Sequence, residues 1–511
     1  MDNGPETGTT APIPAQRRPA EEIPETAGVP ETAGVPETAG VPETAGPPET
    51  AGLPGAGIFP ETGDVGGLAA SGSSAAGRAA FAGGKGKRGR FAVAAAVVVA
   101  VLLLGFLVLR PHDGPEAAAR AVSSAAPASS AAPATPDDLV SATLTAQAAA
   151  LLRGDEAAWL SAVGPALRPR YRDIFRNLRG LGVTRFAYEP GVGQPVKGDP
   201  KAIAVRVDVA YCFYAEMCPE HPSNDWAEPP HISQKLTLKA DSAGTFRITA
   251  LGASPDPDFH QPTPWESGRL VFAQGRRVTV VAAPGQAKYL KSVLPVAERA
   301  AAVNDRYAKL IGVPQPRYRV FLAGEPQWKT WYGGDDDKWA IGLAMPLNKQ
   351  SLDVLIRMSE MDDATTLSTT VQHELGHVVT LTGAFRVDAA EDTWLSEGIA
   401  EYIAWQPKHA AQSFRRPSVR WALVGGRGPK GMVPPRPGAK ASIRAGDAFY
   451  GLSHFAVDCL GQKYGEPKLF AFVRLVLTAD NTYDQASRDA FGTPFAAVDK
   501  ACAAWIRQAA F

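Results

Sequence analysis

Large apolar side chains are scarce in the first part of the chain, where a short repeat dominates. The hexapeptide Pro-Glu-Thr-Ala-Gly-Val begins at Pro24, Pro30 and Pro36, and starts again at Pro42 with Pro47 in place of the valine. Proline at every sixth position interrupts both helices and strand ladders, and so few apolar residues cannot form a core. We therefore expect residues 1–90 to be a disordered tail that acts as a flexible acidic spacer. A tail that docks another protein is the alternative.

A continuous apolar run follows at residues 91–109. As a helix it is about 28 Å long, close to the thickness of a hydrocarbon core, so it predicts a transmembrane helix. The positive-inside rule then places the N-terminus in the cytoplasm and the larger C-terminal part outside the cell membrane. A cleaved signal peptide is the alternative. The basic residues that precede the run are Lys85, Lys87, Arg88 and Arg90.

Beyond an Ala/Ser/Pro-rich stalk at residues 110–136, the pattern becomes that of a folded domain, residues 137–254. Apolar residues at helical spacing are followed by alternating runs typical of half-buried strands. Helices followed by an antiparallel sheet resemble the small cone-shaped fold of polyketide cyclases. The predicted helices are Val140–Val163 and Tyr171–Leu181, and the predicted strands are Ala202–Tyr211, His231–Leu238 and Thr245–Leu251.

A Pro-rich linker at residues 255–264 separates this domain from a second one, residues 265–511. Its first part has strand patterns around one long amphipathic helix, and the rest reads mainly as helix. The fold class that we predict is therefore α+β. The predicted helix is Gln286–Leu310, and the strands are Arg269–Phe272, Val278–Ala283, Tyr318–Ala323, Trp339–Met345 and Leu352–Met358.

Composition narrows the choice of function and compartment. The 52 Lys and Arg residues balance 52 Asp and Glu residues, which argues against a nucleic-acid partner. The four cysteines suit an oxidising compartment. We expect a structural disulfide between Cys212 and Cys218, with a redox pair as the alternative, and a second disulfide between Cys459 and Cys502.

The most informative segment is His373-Glu374-Leu375-Gly376-His377. Two histidines at positions i and i+4 lie on one face of a helix, where both imidazoles can bind one Zn²⁺. Glu374 lies between them and can face a metal-bound water. The helix is predicted to end near Gly383, with Asp362, Asp363 and Thr365 as candidate N-caps.

A second helix pattern, Trp394–Tyr402, carries two acids one turn apart. Leu395 and Ile399 define a buried face, so Glu397 and Glu401 share the opposite face. Glu397 is placed to be the third protein ligand, which leaves the fourth position for water. Glu401 can accept the remaining ring N–H of a liganding histidine, and a solvated carboxylate is the alternative.

At these residues the chain resembles the gluzincin metallopeptidases, in a membrane-anchored form of bacterial type. The shared pattern is His-Glu-x-x-His followed by Trp-Leu-x-Glu-Gly-x-Ala-x-Tyr. The resemblance implies a thermolysin-like domain, zinc on His373, His377 and Glu397, and Glu374 as general base. The aminopeptidase branch also has Gly-Ala-Met-Glu-Asn on the preceding strand, where this chain reads Gly-Leu-Ala-Met-Pro at residues 342–346.

The resemblance also assigns a role to the helix that begins near Ala448. In related gluzincins a tyrosine at such a helix reaches the developing oxyanion, which makes Tyr450 the first candidate and His454 the second. A core aromatic residue and a structural histidine are the respective alternatives.

Two charged segments have less specific interpretations. Asp335–Asp337 suits a Ca²⁺ ligand group or an exposed turn. A loop rich in basic residues can line the cleft and favour acidic substrates, or can simply be solvated. Its basic residues are Arg415, Arg416, Arg420, Arg427, Lys430, Arg436, Lys440 and Arg444.

Together these features predict a membrane-tethered, extracytoplasmic zinc peptidase that acts on a peptide or protein substrate. The strand at 339–345 lacks the acid that an aminopeptidase needs for the substrate ammonium group, so we expect an endopeptidase. The alternative is a surface-tethered binding or sensing protein whose zinc site is catalytically silent.

Overall fold

The computed structural model describes residues 13–16, 134–215, 218, 228–253, 260–334, 340–384, 390–438 and 441–511. They all belong to one compact unit, Met1–Ile23 with Ala132–Phe511. The structure is of the α+β class, as predicted. No helix within these ranges is both long and apolar enough to cross a membrane. The predicted span, the repeats, most of the stalk and Asp335–Asp337 lie outside the described residues.

The first domain consists of three helices and an antiparallel sheet with the strand order β2-β4-β5-β6, to which β3 adds by pairing with β4. The helices are α1 (Pro136–Arg153), α2 (Glu156–Ser161) and α3 (Arg168–Gly180). The strands are β2 (Arg185–Pro190), β3 (Gln194–Val196), β4 (Asp199–Cys212), β5 (His231–Ala240) and β6 (Phe246–Gly252). The single helix predicted at Val140–Val163 was wrong, because Gly154 adopts φ 77° and caps α1.

The second domain is built on a mixed sheet with the strand order β1-β10-β11-β9-β8-β7. Its strands are β1 (Ile13–Gln16), β7 (Val271–Gln274), β8 (Val278–Ala282), β9 (Tyr318–Ala323), β10 (Ala340–Asn348) and β11 (Ser351–Arg357). Its helices are α4 (Leu290–Ile311), α5 (Glu325–Trp328), α6 (Ala364–Leu381), α7 (Thr393–Ala404), α8 (Arg416–Val424), α9 (Ile443–Tyr464), α10 (Glu466–Leu477), α11 (Tyr483–Phe491) and α12 (Phe495–Ala509).

Strand β1 comes from the segment that we expect to be a disordered tail. It pairs antiparallel with β10, and Ile13 is opposite Ala344. In the structure these four residues form a strand, which differs from the disorder expected of residues 1–90. Among the described residues no other strand pairs with this edge of β10, so its backbone groups can hydrogen-bond with a short extended segment.

The sheet of the second domain is covered on both faces. Alternate residues of β9 point to opposite sides, so that Val320 and Leu322 belong to the core formed with α4 and α6. Phe321 belongs to a second core, which includes the aromatic side chains of the first domain. Burial on both faces explains why these strands read as continuous apolar runs.

The connecting segment joins the two domains firmly. Trp265 is 1% exposed, and its ring lies 5.4 Å from that of Tyr211 between ring centroids. On α3, Asn177 donates its Nδ2–H to the carbonyl oxygen of Trp265 at 3.0 Å, while its Oδ1 accepts from the amide of Leu270 at 3.0 Å. The first domain is therefore packed against the second rather than tethered to it.

Both expected disulfides are confirmed. Cys212 is bonded to Cys218 across 6 residues, and Cys459 on α9 is bonded to Cys502 on α12 across 43 residues. The second bond links two helices that pack in the C-terminal part of the core.

We predict that the two disulfides differ in their contribution to stability. Replacing Cys459 and Cys502 by alanine is expected to lower the free energy of unfolding by about 4 kcal/mol, because the long loop restricts the unfolded chain most. The matched change at Cys212 and Cys218 is expected to cost about 2 kcal/mol. Urea unfolding under non-reducing conditions measures both values. Equal losses would contradict the loop-closure explanation.

Candidate metal centre

Helix α6 holds three residues of the candidate site, and its start is fixed by Asp363. The carboxylate of Asp363 accepts hydrogen bonds from the amides of Thr365 at 2.7 Å and Thr366 at 2.9 Å. Of the three candidate N-caps, Asp363 therefore is the one used. His373 and His377 follow one turn apart, and both are buried.

Helix α7 approaches α6 and α9 through small residues. A Cβ atom on Gly376 of α6 would lie 3.3 Å from Cα of Ala400 on α7. On the other side, a Cβ atom on Gly398 would lie 2.5 Å from the carbonyl oxygen of Ser453 on α9. The absence of side chains at these points lets the helices pack closely enough to bring Glu397 to the two histidines.

Three ligand atoms converge between α6 and α7. Oε2 of Glu397 lies 3.3 Å from Nε2 of His373 and 3.4 Å from Nε2 of His377. The two Nε2 atoms are 3.0 Å apart. Two donors bound tetrahedrally at about 2.0 to 2.1 Å from a zinc ion lie about 3.3 Å apart, so the set fits such an ion. His373, His377 and Glu397 could therefore hold a metal.

Unsatisfied acceptors support the same conclusion. Both carboxylate oxygens of Glu374 are buried without a hydrogen-bond partner among the described residues. Bare carboxylate oxygens are costly in a low-dielectric interior unless a cation or a polar ligand compensates them. This arrangement suits a bound cation with a water molecule near Glu374.

Burial and neighbouring charges perturb the ionisable groups in the metal-free protein. Burial raises the pKa of Glu374 well above its usual range, and the charges of Glu397 and Glu401 add to the rise. Burial lowers the pKa of His377, which keeps a nitrogen lone pair available. Burial also acts to lower the pKa of His373, but Glu397 and Glu401 raise it to about 10, so a proton competes with a cation there.

Glu401 makes the contact that its position predicts. Its Oε1 accepts a hydrogen bond from Nδ1 of His373 at 3.1 Å, which leaves Nε2 directed at Glu397. Although burial opposes ionisation, Arg415 and His373 lower the pKa of Glu401 to about 2. The carboxylate therefore stays ionised and fixes the orientation of the His373 ring through its Nδ1–H.

Arg415 is the residue of this centre that sequence reasoning missed. The guanidinium Nε donates to Oε2 of Glu401 at 3.2 Å, and Nη1 donates to Asp447 on α9. The solvated-loop interpretation is wrong for Arg415, which is 2% exposed. Its neighbours Arg416 and Arg420 donate to the carbonyl oxygen of Ala510 instead. The only sequence signal was Asp447, the first acid after a long basic stretch.

Helix α9 brings Tyr450 and His454 into the same buried region. Burial, reinforced by the carboxylate of Glu397, raises the pKa of Tyr450 well above its usual range. Burial lowers the pKa of His454, and neither of its ring nitrogens has a hydrogen-bond partner among the described residues. Tyr450 therefore keeps its phenolic proton, and His454 is a neutral imidazole.

The sequence matches no family model, and it matches none of the curated proteins with which it was compared. The chemistry of the centre must therefore be derived from its own residues and contacts.

The close helix contact at Gly398 gives a testable prediction. Replacing Gly398 by alanine forces α7 away from α9 and is expected to destabilise the protein by about 1 to 3 kcal/mol. Because the shift moves Glu397, metal binding is also expected to weaken. Both effects are measurable by urea unfolding and by metal titration.

The control is Gly446, which lies on α9, the helix that Gly398 contacts. Nothing lies within 4 Å of a Cβ atom placed there, so Gly446→Ala is expected to stabilise the helix by about 0.5 to 1 kcal/mol. Equal behaviour of the two variants would show that the helix contact does not depend on Gly398.

Proposed function

We propose that the chain is a zinc-dependent peptidase of the gluzincin type. The observation that carries the proposal is the convergence of His373, His377 and Glu397 beside the unpaired carboxylate of Glu374. Zinc bound there supplies a Lewis acid and lowers the pKa of a bound water toward about 7. Structural zinc sites have four protein ligands, whereas the described residues offer three, which favours an open catalytic position over a silent site.

Glu374 is the general base in this proposal. It accepts the proton of the attacking water and delivers it to the leaving amine, for which both of its oxygens are free of other hydrogen bonds in the described structure. A base must be ionised, and its raised pKa belongs to the metal-free protein. Glu374 can therefore act as a base only if positive charge lies beside its carboxylate, on the side of His373, His377 and Glu397.

Tyr450 is the proposed donor to the oxyanion. Its raised pKa keeps the hydroxyl protonated at neutral pH, as a hydrogen-bond donor must be. His454 lies one turn further along α9 and is the second candidate, since a neutral imidazole also carries one N–H.

The substrate that we propose is an internal stretch of a peptide or protein. Strand β10 contains no Asp or Glu to bind a substrate ammonium group. Its outer edge pairs antiparallel with the extended segment Ile13–Gln16, which also contacts α6. An extended peptide can take the place of this segment and pair with the same edge through backbone hydrogen bonds, a mode that does not use a terminus.

Two substitutions, one at Glu374 and one at Glu397, distinguish loss of catalysis from loss of the metal and so test the proposed function. Glu374→Gln is expected to keep one zinc per chain and to lose at least about 100-fold in casein turnover, because only the base is removed. Glu397→Ala is expected to lose the metal itself. The zinc content per chain is measured by mass spectrometry, and casein turnover is measured with the full chain. One tight zinc in Glu397→Ala would show that the third ligand is misassigned.

The cleavage mode is tested with two versions of one internally cleaved peptide, N-acetylated and with a free amine. We expect similar rates for both, because no carboxylate of β10 meets the terminus. Strict dependence on the free amine, with single residues released in order, would show that an acid elsewhere binds the ammonium group.

We also propose that residues 91–109 anchor the chain in the cell membrane with its N-terminus in the cytoplasm. In a chain anchored in this way, residues 13–16 lie across the membrane from β10, so the β1–β10 pairing applies only to a chain whose residues 91–109 are not inserted. Protease added to intact cells is expected to digest the C-terminal domains and spare the repeats. Digestion of the repeats as well would instead place both segments on the same side, as the pairing requires.

A further inference from the structure

Arg415 lies between the helices that build the metal centre. It precedes α8, yet its guanidinium group reaches both α7 and α9, where it donates to Glu401 at 3.2 Å and to Asp447. Its side chain is 2% exposed, and the side chains of Glu401 and Asp447 are 5% and 4% exposed. A single buried cation thus joins two buried carboxylates from different helices.

The same guanidinium group also lies over two aromatic rings. Its central carbon lies 5.4 Å from the ring centroid of Tyr450 and 4.5 Å from that of Phe414. Arginine can donate from its edge and stack through its plane at the same time, whereas a lysine ammonium offers no such plane. The residue type is therefore matched to this double contact.

Glu401 extends the connection to the metal ligands. One of its oxygens accepts from His373 at 3.1 Å, and the other accepts from Arg415 at 3.2 Å. With both oxygens engaged, the carboxylate cannot rotate without breaking one bond. The orientation of the His373 ring thus depends on the position of Arg415.

We propose that Arg415 is a positioning residue that sets both halves of the catalytic centre: the ring of His373 through Glu401, and the ring of Tyr450 through a direct cation–π contact. The inference rests on the proposed function for its catalytic part. Its metal-binding part concerns only His373, Glu401 and Arg415. The two parts can therefore be tested separately.

The neighbouring arginine provides a matched control. Arg416 has the same side chain and lies next to Arg415 in sequence, but it donates to the carbonyl oxygen of Ala510 near the C-terminus at 2.9 Å. A change at Arg416 removes an arginine side chain and its contact with the C-terminal segment without touching Glu401 or Tyr450.

The test uses the full chain with Arg415→Ala, Arg415→Lys and Arg416→Ala. Zinc affinity is measured by competition with a chromophoric chelator, and kcat and KM are measured on an internally cleaved peptide. Arg415→Ala is expected to weaken zinc binding about 10- to 100-fold, as loss of a partner behind a liganding histidine does. The value of kcat is expected to fall with little change in KM, because Tyr450 acts in the transition state.

Two further readouts distinguish positioning from a merely structural role. Guanidinium ion at millimolar concentration is expected to restore part of the zinc affinity of Arg415→Ala, and Arg416→Ala is expected to bind zinc as the wild type does. If Arg415→Ala does not fold, Arg415→Lys decides, since it keeps the charge but loses the stacking plane and the fork. It is expected to show reduced kcat and weaker zinc binding.

Wild-type zinc affinity and kcat in a folded Arg415 variant would overturn the inference, as would equal losses in Arg416→Ala. If the wild-type protein binds zinc but cleaves no peptide, the proposed function fails. The zinc affinities of the variants then still decide whether Arg415 positions His373.

Discussion

The metal centre depends on the close packing of α7 against α6 and α9. Gly376 and Gly398 mark the two contacts, and at Gly398 even one methyl group would collide with the backbone of α9. This packing removes Glu397 and Glu401 from water and brings them to His373 and His377. The same burial that creates the ligand set makes each of its charges costly, so every ionised group there needs a partner.

The first domain supports this arrangement from the other side of the sheet. Its aromatic core is continuous with Phe321 of β9, and Trp265 fills the space beside Tyr211. A buried ion pair lies in the same region, where Arg319 donates to Asp353 at 2.5 Å and covers the ring of Phe213 at 4.8 Å. These contacts indicate that the first domain supports the strands behind α6, rather than forming a separate ligand-binding module.

Local patterns predicted the fold class and most strands. They also predicted the three residues that the structure brings together as candidate metal ligands, because spacing along one helix fixes which side chains share a face. His373 and His377 are one turn apart, so their proximity follows from helix geometry alone. The short strands β2 and β3 were missed, since few of their residues are buried and they lack a clear alternation. Arg415 was missed for a different reason. Its partners come from α7 and α9, and no local pattern distinguishes it from Arg416, which binds a carbonyl group.

The charges of the centre also link its chemistry to its stability. Glu374, Glu397, Glu401 and Asp447 place four carboxyl groups in a buried region where Arg415 contributes one fixed positive charge. Without further positive charge the carboxylates repel one another, which is why Glu397 and Glu401 raise the pKa of Glu374. A divalent cation held by His373, His377 and Glu397 would offset this repulsion and stabilise the folded state by mass action. Under the proposed function, metal binding and ionisation of Glu374 would then favour each other, because the cation places positive charge beside that carboxylate.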